Sequence, residues 1–346
     1  MRLGLLLGTA GATFEIDMDL IREAESLGFD SVWSAEAYGS DAVSPAAWVL
    51  AQTSRIKVGT AIMQIPARTP ATTAATAMTL QALSGGRFLL GVGPSGPQVV
   101  EGWHGMPYEK PLTRMREYIE IIRMIFAREA PVEYQGHHYQ LPYTGPGATG
   151  LGKPLKSVLH CKQPPPIYTA SITPAGLRTS AELADGVFPI FLNPERFDVF
   201  EGSLNEGFAA AGGGKGLKDF DVAPFVMTIM GDDLEACRRP VKEMLALYVG
   251  GMGARGKNFY NDCAKALGYE AAAVEIQDLF LDGKRGAAAA AVPDQLVDEI
   301  SLVGPKQRII ERLDLWKAAS ARGEIGAMLI RGASREAVQT VAENVL

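Results

Sequence analysis

The run KVGTAIMQIPARTPATTAATAMTLQALSGGRFLLGVGPSGPQ, Lys57 to Gln98, constrains the fold more than any other stretch of the chain. Ile56–Met63 is β-rich and mostly apolar, Pro70–Leu83 sets Ala, Thr, Met and Leu at helical spacing, and Arg87–Gly93 is a second apolar run. Strand, helix and strand in that order form a βαβ unit, which lays two parallel strands together and brings their carboxyl ends to one rim. α/β folds build their sites on that rim. Both loops there are unusual. Met63–Pro70 carries Gln64 and Arg68, and GVGPSGP, Gly91–Pro97, has almost no bulky side chain. A flat ligand can lie against such a wall, and a tight turn at a barrel rim would use the same residues.

The alternation runs the length of the chain. Arg2–Gly8 reads as a strand, Glu15–Gly28 as a helix with Ile16, Leu20, Ala24 and Leu27 on one stripe, and Asp30–Ala35 as a second strand. Ser44-Pro45 opens another helix. Leu112–Ala127 is amphipathic, with Met115, Ile119, Ile122 and Phe126 expected inward and Arg114, Glu117, Glu120 and Arg123 outward. Further strands are predicted at Ile167–Ser171, Gly186–Phe191, Phe220–Met230 and Gly326–Ile330. Helices are predicted at Pro174–Ala184, Pro194–Ala211, Asp233–Tyr248, Pro305–Ala319 and Ser334–Val345.

Eight strands alternating with helices predict an α/β fold, a (β/α)8 TIM barrel with insertions, as one domain over residues 1–346. An open doubly wound sheet is the alternative. It is weakened because Gly91, Gly93 and Gly96 lead into Trp103-His104-Gly105-Met106-Pro107 and not directly into a helix, as a dinucleotide fingerprint requires. Two segments break the pattern. Residues 131–166 are rich in aromatic, Gly and Pro residues and read as a lid or as a plain hairpin around Tyr134–Tyr139, and residues 250–304 hold several short helices.

Composition narrows the function classes. A net charge of −6 argues against nucleic acid or an anionic membrane as partner, since both demand a basic face. No segment reaches the ~20 apolar residues of a membrane span, and the amino terminus, MRLGLLLGTAG, is too short an apolar run for a signal peptide and reads as a buried strand. Cys161, Cys237 and Cys263 are odd in number and far apart, which fits a reducing cytoplasm. His160 has no partner at a metal spacing, so no metal site is expected; His137 and His138 read as surface loop.

The run TLQALSGGRFLLGVG, preceded by a strand with GTAI and by Arg-Thr-Pro, is similar to the signature of the luciferase-like flavin and deazaflavin oxidoreductases. SGPQVVEGWHG, with GGMGARGKNFY at Gly250–Tyr260, resembles their coenzyme F420-dependent subgroup common in actinobacteria. The resemblance covers nearly the whole chain. It implies coenzyme F420 as cofactor, with FMN as the alternative, a small-molecule substrate and a homodimer or higher homo-oligomer packed through the early helices. It also implies a strand-three bulge with a non-prolyl cis peptide at Ala61-Ile62 behind the middle ring of the cofactor, and contacts from Gln64, Gly93, Pro94 and Ser95. The 5′-phosphate falls at the turn Ala170-Ser171-Ile172-Thr173 before a helix start, and Arg255 faces the acidic tail of a deazaflavin or is simply solvated.

For acid–base chemistry the candidates are Glu36 at the end of strand two, the neighbouring Tyr38, and His104 just past strand four. The family commonly shows His after that carboxylate, where this chain has Ala37. Glu36 is equally readable as a cap or ion-pair partner, and His104 as a hydrogen-bonded rim residue. The implied reaction is hydride transfer between F420 and a small organic substrate. The alternatives are an FMN-dependent monooxygenase and a non-catalytic flavin-binding protein.

Overall fold

The computed structural model describes residues 1–8 and 12–346. Eight parallel strands close a barrel: β1 Arg2–Leu6, β2 Ser31–Ser34, β3 Lys57–Thr60, β4 Phe88–Gly93, β5 Ile167–Ala170, β6 Gly186–Phe188, β7 in two pieces at Asp221–Val222 and Phe225–Met230, and β8 Ala327–Arg331. Arg2 pairs with Ala327, joining the first strand to the last. β7 completes the ring by splitting its partners. Asp221 pairs with Gly186 of β6, while Phe225 pairs with Leu329 of β8. The strand expected without interruption over Phe220–Met230 breaks at Ala223-Pro224, where Pro224 lacks the N–H a central ladder needs.

The helices outside the barrel are α1 Met18–Leu27, α2 Val43–Gln52, α3 Pro70–Leu83, the short α4 Pro97–Gly102, α5 Pro111–Ala127, α6 Pro174–Leu183, α7 Asp198–Ala211, α8 Leu234–Leu245, α13 Lys306–Ala321 and α14 Arg335–Val345. The second insertion supplies α9 Phe259–Ala266, α10 Glu270–Leu281, α11 Arg285–Ala290 and α12 Asp294–Ile300. Two of these elements were not legible. α4 starts at the end of the glycine loop, with Pro97 at its first turn, where the sequence reads as continuing loop. Leu302–Gly304 is an added strand, pairing with the outer half of β7 through Thr228 and Leu302. No helix among the described residues is long and apolar enough to cross a membrane.

The barrel interior is aromatic. Trp33, Tyr168, Phe188 and Phe225 stack and cross with centroids 5.0–5.3 Å apart, among Leu6, Leu89 and Leu329. Such large side chains fit because facing positions are glycine. A Cβ on Gly59 would sit 2.3 Å from Trp33, and one on Gly91 only 1.8 Å from the Thr60 carbonyl oxygen. At the amino ends of the strands Arg2 pairs with Asp221 (2.7 Å), which also accepts from Tyr168 Oη (2.8 Å), while Lys57 pairs with Asp30 (2.9 Å). That floor locks the barrel on the face away from the site.

One helix departs from its sequence pattern. Arg114 and Glu117, expected on the solvent face of α5, are buried under the first insertion. The insertion forms a hairpin, Tyr134–Gln135 against Gln140–Leu141, strapped across α5. The Glu117 carboxylate accepts N–H bonds from His137 (2.6 Å), His138 (2.8 Å) and Tyr139 (3.1 Å). Arg114 donates to His138 Nδ1 (3.4 Å) and to the Pro107 carbonyl (3.2 Å). These residues look solvent-facing because their partners in the hairpin lie 20 or more residues on. His138 is thus an acceptor for a buried arginine and not a free surface histidine.

Candidate active site at the carboxyl end of the barrel

The mouth is assembled from the ends of β2 to β6 and from the second insertion. At the end of β3 the peptide between Ala61 and Ile62 is cis, and the chain then rejoins the sheet as Met63–Gln64 beside Val92 and Gly93. Gly93 lies against this bulge: a Cβ there would be 3.0 Å from Ile62 Cδ1 and 3.5 Å from Ala170 Cβ. Ala61, Ile62, Gly93 and Ala170 thus form one continuous surface of small or low side chains across β3, β4 and β5. Ser95, two residues beyond Gly93, sits in the left-handed region at φ 62°, and its carbonyl accepts a long bond from Tyr108 Oη (3.4 Å). Burial raises the Tyr108 hydroxyl above its ordinary value.

At the next strand end, Thr173 caps α6 by accepting from Gly176 N (3.0 Å), and Pro174 fills the first turn. Ser171 Oγ lies 2.8 Å from Ser180 Oγ, which Thr169 also reaches (2.7 Å). The hydroxyls counted on for a phosphate are therefore partly engaged in shaping the turn. Thr173 accepts through its oxygen and keeps its own proton to donate.

Glu36 is placed differently from a free base. Its carboxylate accepts from Ala42 N (2.9 Å), Gln64 N (2.8 Å), Arg68 Nη1 (2.5 Å) and Arg68 Nη2 (3.0 Å), and the side chain is 4 % exposed. Every favourable acceptor direction is used. The geometry makes Glu36 a brace joining the loop after β2 to the bulge after β3. Tyr38, beside it, is 70 % exposed and turned to solvent.

His104 is brought to the bulge. Gln64, buried at the end of the bulge, donates from Nε2 to the Ala37 carbonyl (2.7 Å), so its Oε1 faces His104 Nε2 at 3.3 Å. A carbonyl oxygen can only accept, which fixes the amide orientation. The bond then requires a proton on His104 Nε2, leaving Nδ1 of the neutral ring as the open acceptor.

The insertion contributes a wall absent from the sequence candidates. Tyr248 and Tyr260 meet edge to face at 4.8 Å, and Phe191, held at φ 58° beyond β6, approaches both at 6.1–6.2 Å. Burial raises the Tyr260 hydroxyl well above its ordinary value. Asn258 ties the wall down by donating to the Tyr248 and Val249 carbonyls (3.1 and 2.9 Å). The aromatic content of GGMGARGKNFY was the one available signal. Arg255, from the same segment, turns outward on an exposed loop and pairs with Asp278 of α10 (2.8 Å), so it is not gathered with the others.

A parallel α/β barrel with a cis-peptide bulge, a glycine wall and one oriented histidine at its mouth defines the class: a (β/α)8 barrel with its candidate site at the carboxyl ends of the strands. The chain belongs to the luciferase-like monooxygenase family, whose sequence profile matches residues 1–323. A Mycobacterium tuberculosis protein provisionally named a coenzyme F420-dependent oxidoreductase is 42% identical over 344 residues, 99% of this chain and 98% of its own. The 5,10-methylenetetrahydromethanopterin reductase of Archaeoglobus fulgidus is 28% identical over 94% of this chain and 93% of its own. The structure of the coenzyme F420-dependent tetrahydromethanopterin reductase of Methanopyrus kandleri superposes with a TM-score of 0.77 at 23% identity, covering 99% and 98% of the two chains.

Proposed function

We propose that the protein is a coenzyme F420-dependent oxidoreductase that moves a hydride between the deazaflavin and an unsaturated carbon of a small organic substrate. The observation that carries this reading is the low surface of Ala61, Ile62, Gly93 and Ala170. A Cβ on Gly93 would press on Ile62, so the surface is kept flat by composition. It fits a tricyclic ring, while the turn Ser171-Ile172-Thr173 at the start of α6 fits its phosphate through N–H groups and the Thr173 hydroxyl. When bound, the deazaflavin supplies a hydride from a carbon that stands where a flavin has N5, which keeps oxygen chemistry out.

The chain's own residues do the rest. The brace Glu36–Arg68 fixes the bulge, and Gln64 fixes His104. Reduction of a C=C, C=N or C=O carbon leaves the neighbouring atom needing one proton. His104, protonated at Nδ1, can donate it while Nε2 stays tied to Gln64. Tyr108, Tyr248, Tyr260 and Phe191 line the mouth beyond and limit water. Arg255 has no part in this reading, and Tyr38 contributes at most at the outer edge. We also infer a homodimer through α2 and α3, where Trp48 is 59 % and Leu83 81 % exposed on successive helices.

The test is anaerobic oxidation of reduced F420 across a panel of enones, imines and ketones, by the wild type and by His104→Asn. Asn retains a partner for Gln64 but cannot carry the proton. Turnover of at least one acceptor, lowered 10²-fold or more in the variant with cofactor affinity intact, supports the assignment. Turnover that His104→Asn leaves unchanged overturns it.

A further inference from the structure

We propose that the substrate side of the mouth takes a flat, apolar molecule bearing a single carboxylate, anchored by Arg331. The inference rests on the reading above, in which the cofactor ring occupies the low surface over β3 to β5. Ala327 and Leu329 of β8 belong to the cluster inside the barrel, with Trp33, Tyr168 and Phe188. Strand side chains alternate with period two, so Arg331 starts on that same inward face, one step nearer the mouth. The register agrees. Arg331 stands opposite Leu6 of β1, itself an interior residue, and opposite Met227 of β7.

An arginine is out of keeping with that position. Its register neighbours at the mouth, Leu6 of β1 and Met227 of β7, are both apolar, whereas the polar inward residues Arg2, Ser31 and Asp221 lie toward the amino ends of the strands. A guanidinium stays charged at any depth, so at a barrel mouth it presents a fixed positive charge to whatever enters. Three other arginines of low exposure have protein partners: Arg68 holds Glu36, Arg114 holds His138 and Pro107, and Arg238 holds Asp298, Asp294 and Glu235, whereas Arg312 of α13 keeps two buried nitrogens without one. Among the described residues Arg331 forms no ion pair and no side-chain hydrogen bond. Residues 9–11, outside the described residues, are Thr-Ala-Gly and carry no carboxylate.

The guanidinium fork matches a carboxylate in two parallel bonds. The apolar part of the ligand follows from the neighbouring sector. Phe191 lies beyond β6, and Tyr248 and Tyr260 lie in the segment that follows β7, the strand next to β8. Their crossed rings offer planar contact area at low entropic cost. One cation among aromatic rings suits a monoanion with a conjugated body, an aryl or enoyl carboxylate, whose double bond then has the electron-poor carbon that hydride transfer needs. The phosphate turn after β5 is three strands away from β8, which places the two anion sites on different ligands.

The probe pair is trans-cinnamate and cinnamamide, equal in shape and different in charge, titrated calorimetrically into the cofactor-loaded protein. The wild type should bind the acid at least tenfold tighter than the amide, with the margin shrinking as salt is added. Arg331→Gln should bring the two within twofold while F420 affinity stays within twofold of the wild type. Arg331→Lys, which keeps the charge and loses the fork, should fall between, and carries the test if the Gln variant does not fold. A wild type that binds acid and amide equally overturns the proposal. So does an Arg331→Gln variant that weakens F420 tenfold and leaves the acid preference intact, because the arginine then serves the cofactor. A wild type that does not bind F420 refutes the reading beneath, and the same acid–amide comparison on the unloaded protein still decides the anchor.

Discussion

Replacing Glu36 by Gln tests whether this carboxylate braces the site or works in it. The carboxylate accepts four hydrogen bonds, two from Arg68 and one each from the N–H groups of Ala42 and Gln64. Each oxygen takes one backbone and one arginine donor. An amide NH2 in place of either oxygen therefore faces two donors at once. Hydrogen bonds to charged groups contribute about 1.5–3 kcal/mol each, so losing two costs about 3–6 kcal/mol before relaxation. Arg68 is 21 % exposed and water recovers part of this, leaving about 3 kcal/mol. For a chain of this size that is about 4 °C in melting temperature, read by calorimetry or by the near-ultraviolet signal of the buried Trp33. F420 binding should weaken in parallel, because Gln64 N and the bulge lose their tether, and Glu36→Asp should behave like the Gln variant. A Gln variant with unchanged melting and cofactor affinity but turnover down a hundredfold would refute the reasoning and return Glu36 to acid–base work.

Gly91→Ala should cost more than about 3 kcal/mol or abolish folding, since its Cβ would lie 1.8 Å from a backbone oxygen; Gly93→Ala should stay within about 1 kcal/mol of the wild type in melting yet weaken F420 binding, since only the Ile62 side chain must move. His138 is held below its ordinary value by burial, with Arg114 adding to the effect. The folded state therefore prefers the neutral ring, and this contribution is full above about pH 6.5 and lost as pH falls through the lowered folded value. Hydrogen exchange should show the His137, His138 and Tyr139 amides losing protection on acidification ahead of the β1 and β8 amides, and His138→Phe should remove that step. Trp48→Glu should convert the homodimer to monomer in sedimentation; a wild type that is already monomeric at micromolar concentration contradicts the interface.

The barrel was legible because its signals are local. The βαβ unit at Lys57–Gln98 carries period, caps and glycines within 42 residues, and its helix begins at Pro70 and ends at Leu83 as read, capped by Thr69. The bulge and the glycine wall sit on that same unit and His104 lies six residues past it, so they too could be named from the chain. What escaped depends on distant partners. Glu36 reads as a rim acid until Arg68 closes on it, and Glu117 as a solvent-facing acid until the hairpin's N–H groups arrive. Phe191, Tyr248 and Tyr260 come from three separate segments spread over residues 191–260, and no periodicity links them. Arg331 shows itself only through register with Leu6.

The central claim is the identity of the ring that lies on the flat surface. Equilibrium binding of F420 and of FMN to the purified protein, titrated side by side by cofactor fluorescence, tests it most directly. The account predicts F420 binding at least tenfold tighter than FMN, with Gly93→Ala weakening F420 and leaving the fold intact. FMN bound as tightly as F420, or more tightly, would contradict it and would make oxygen uptake with reduced FMN the next assay.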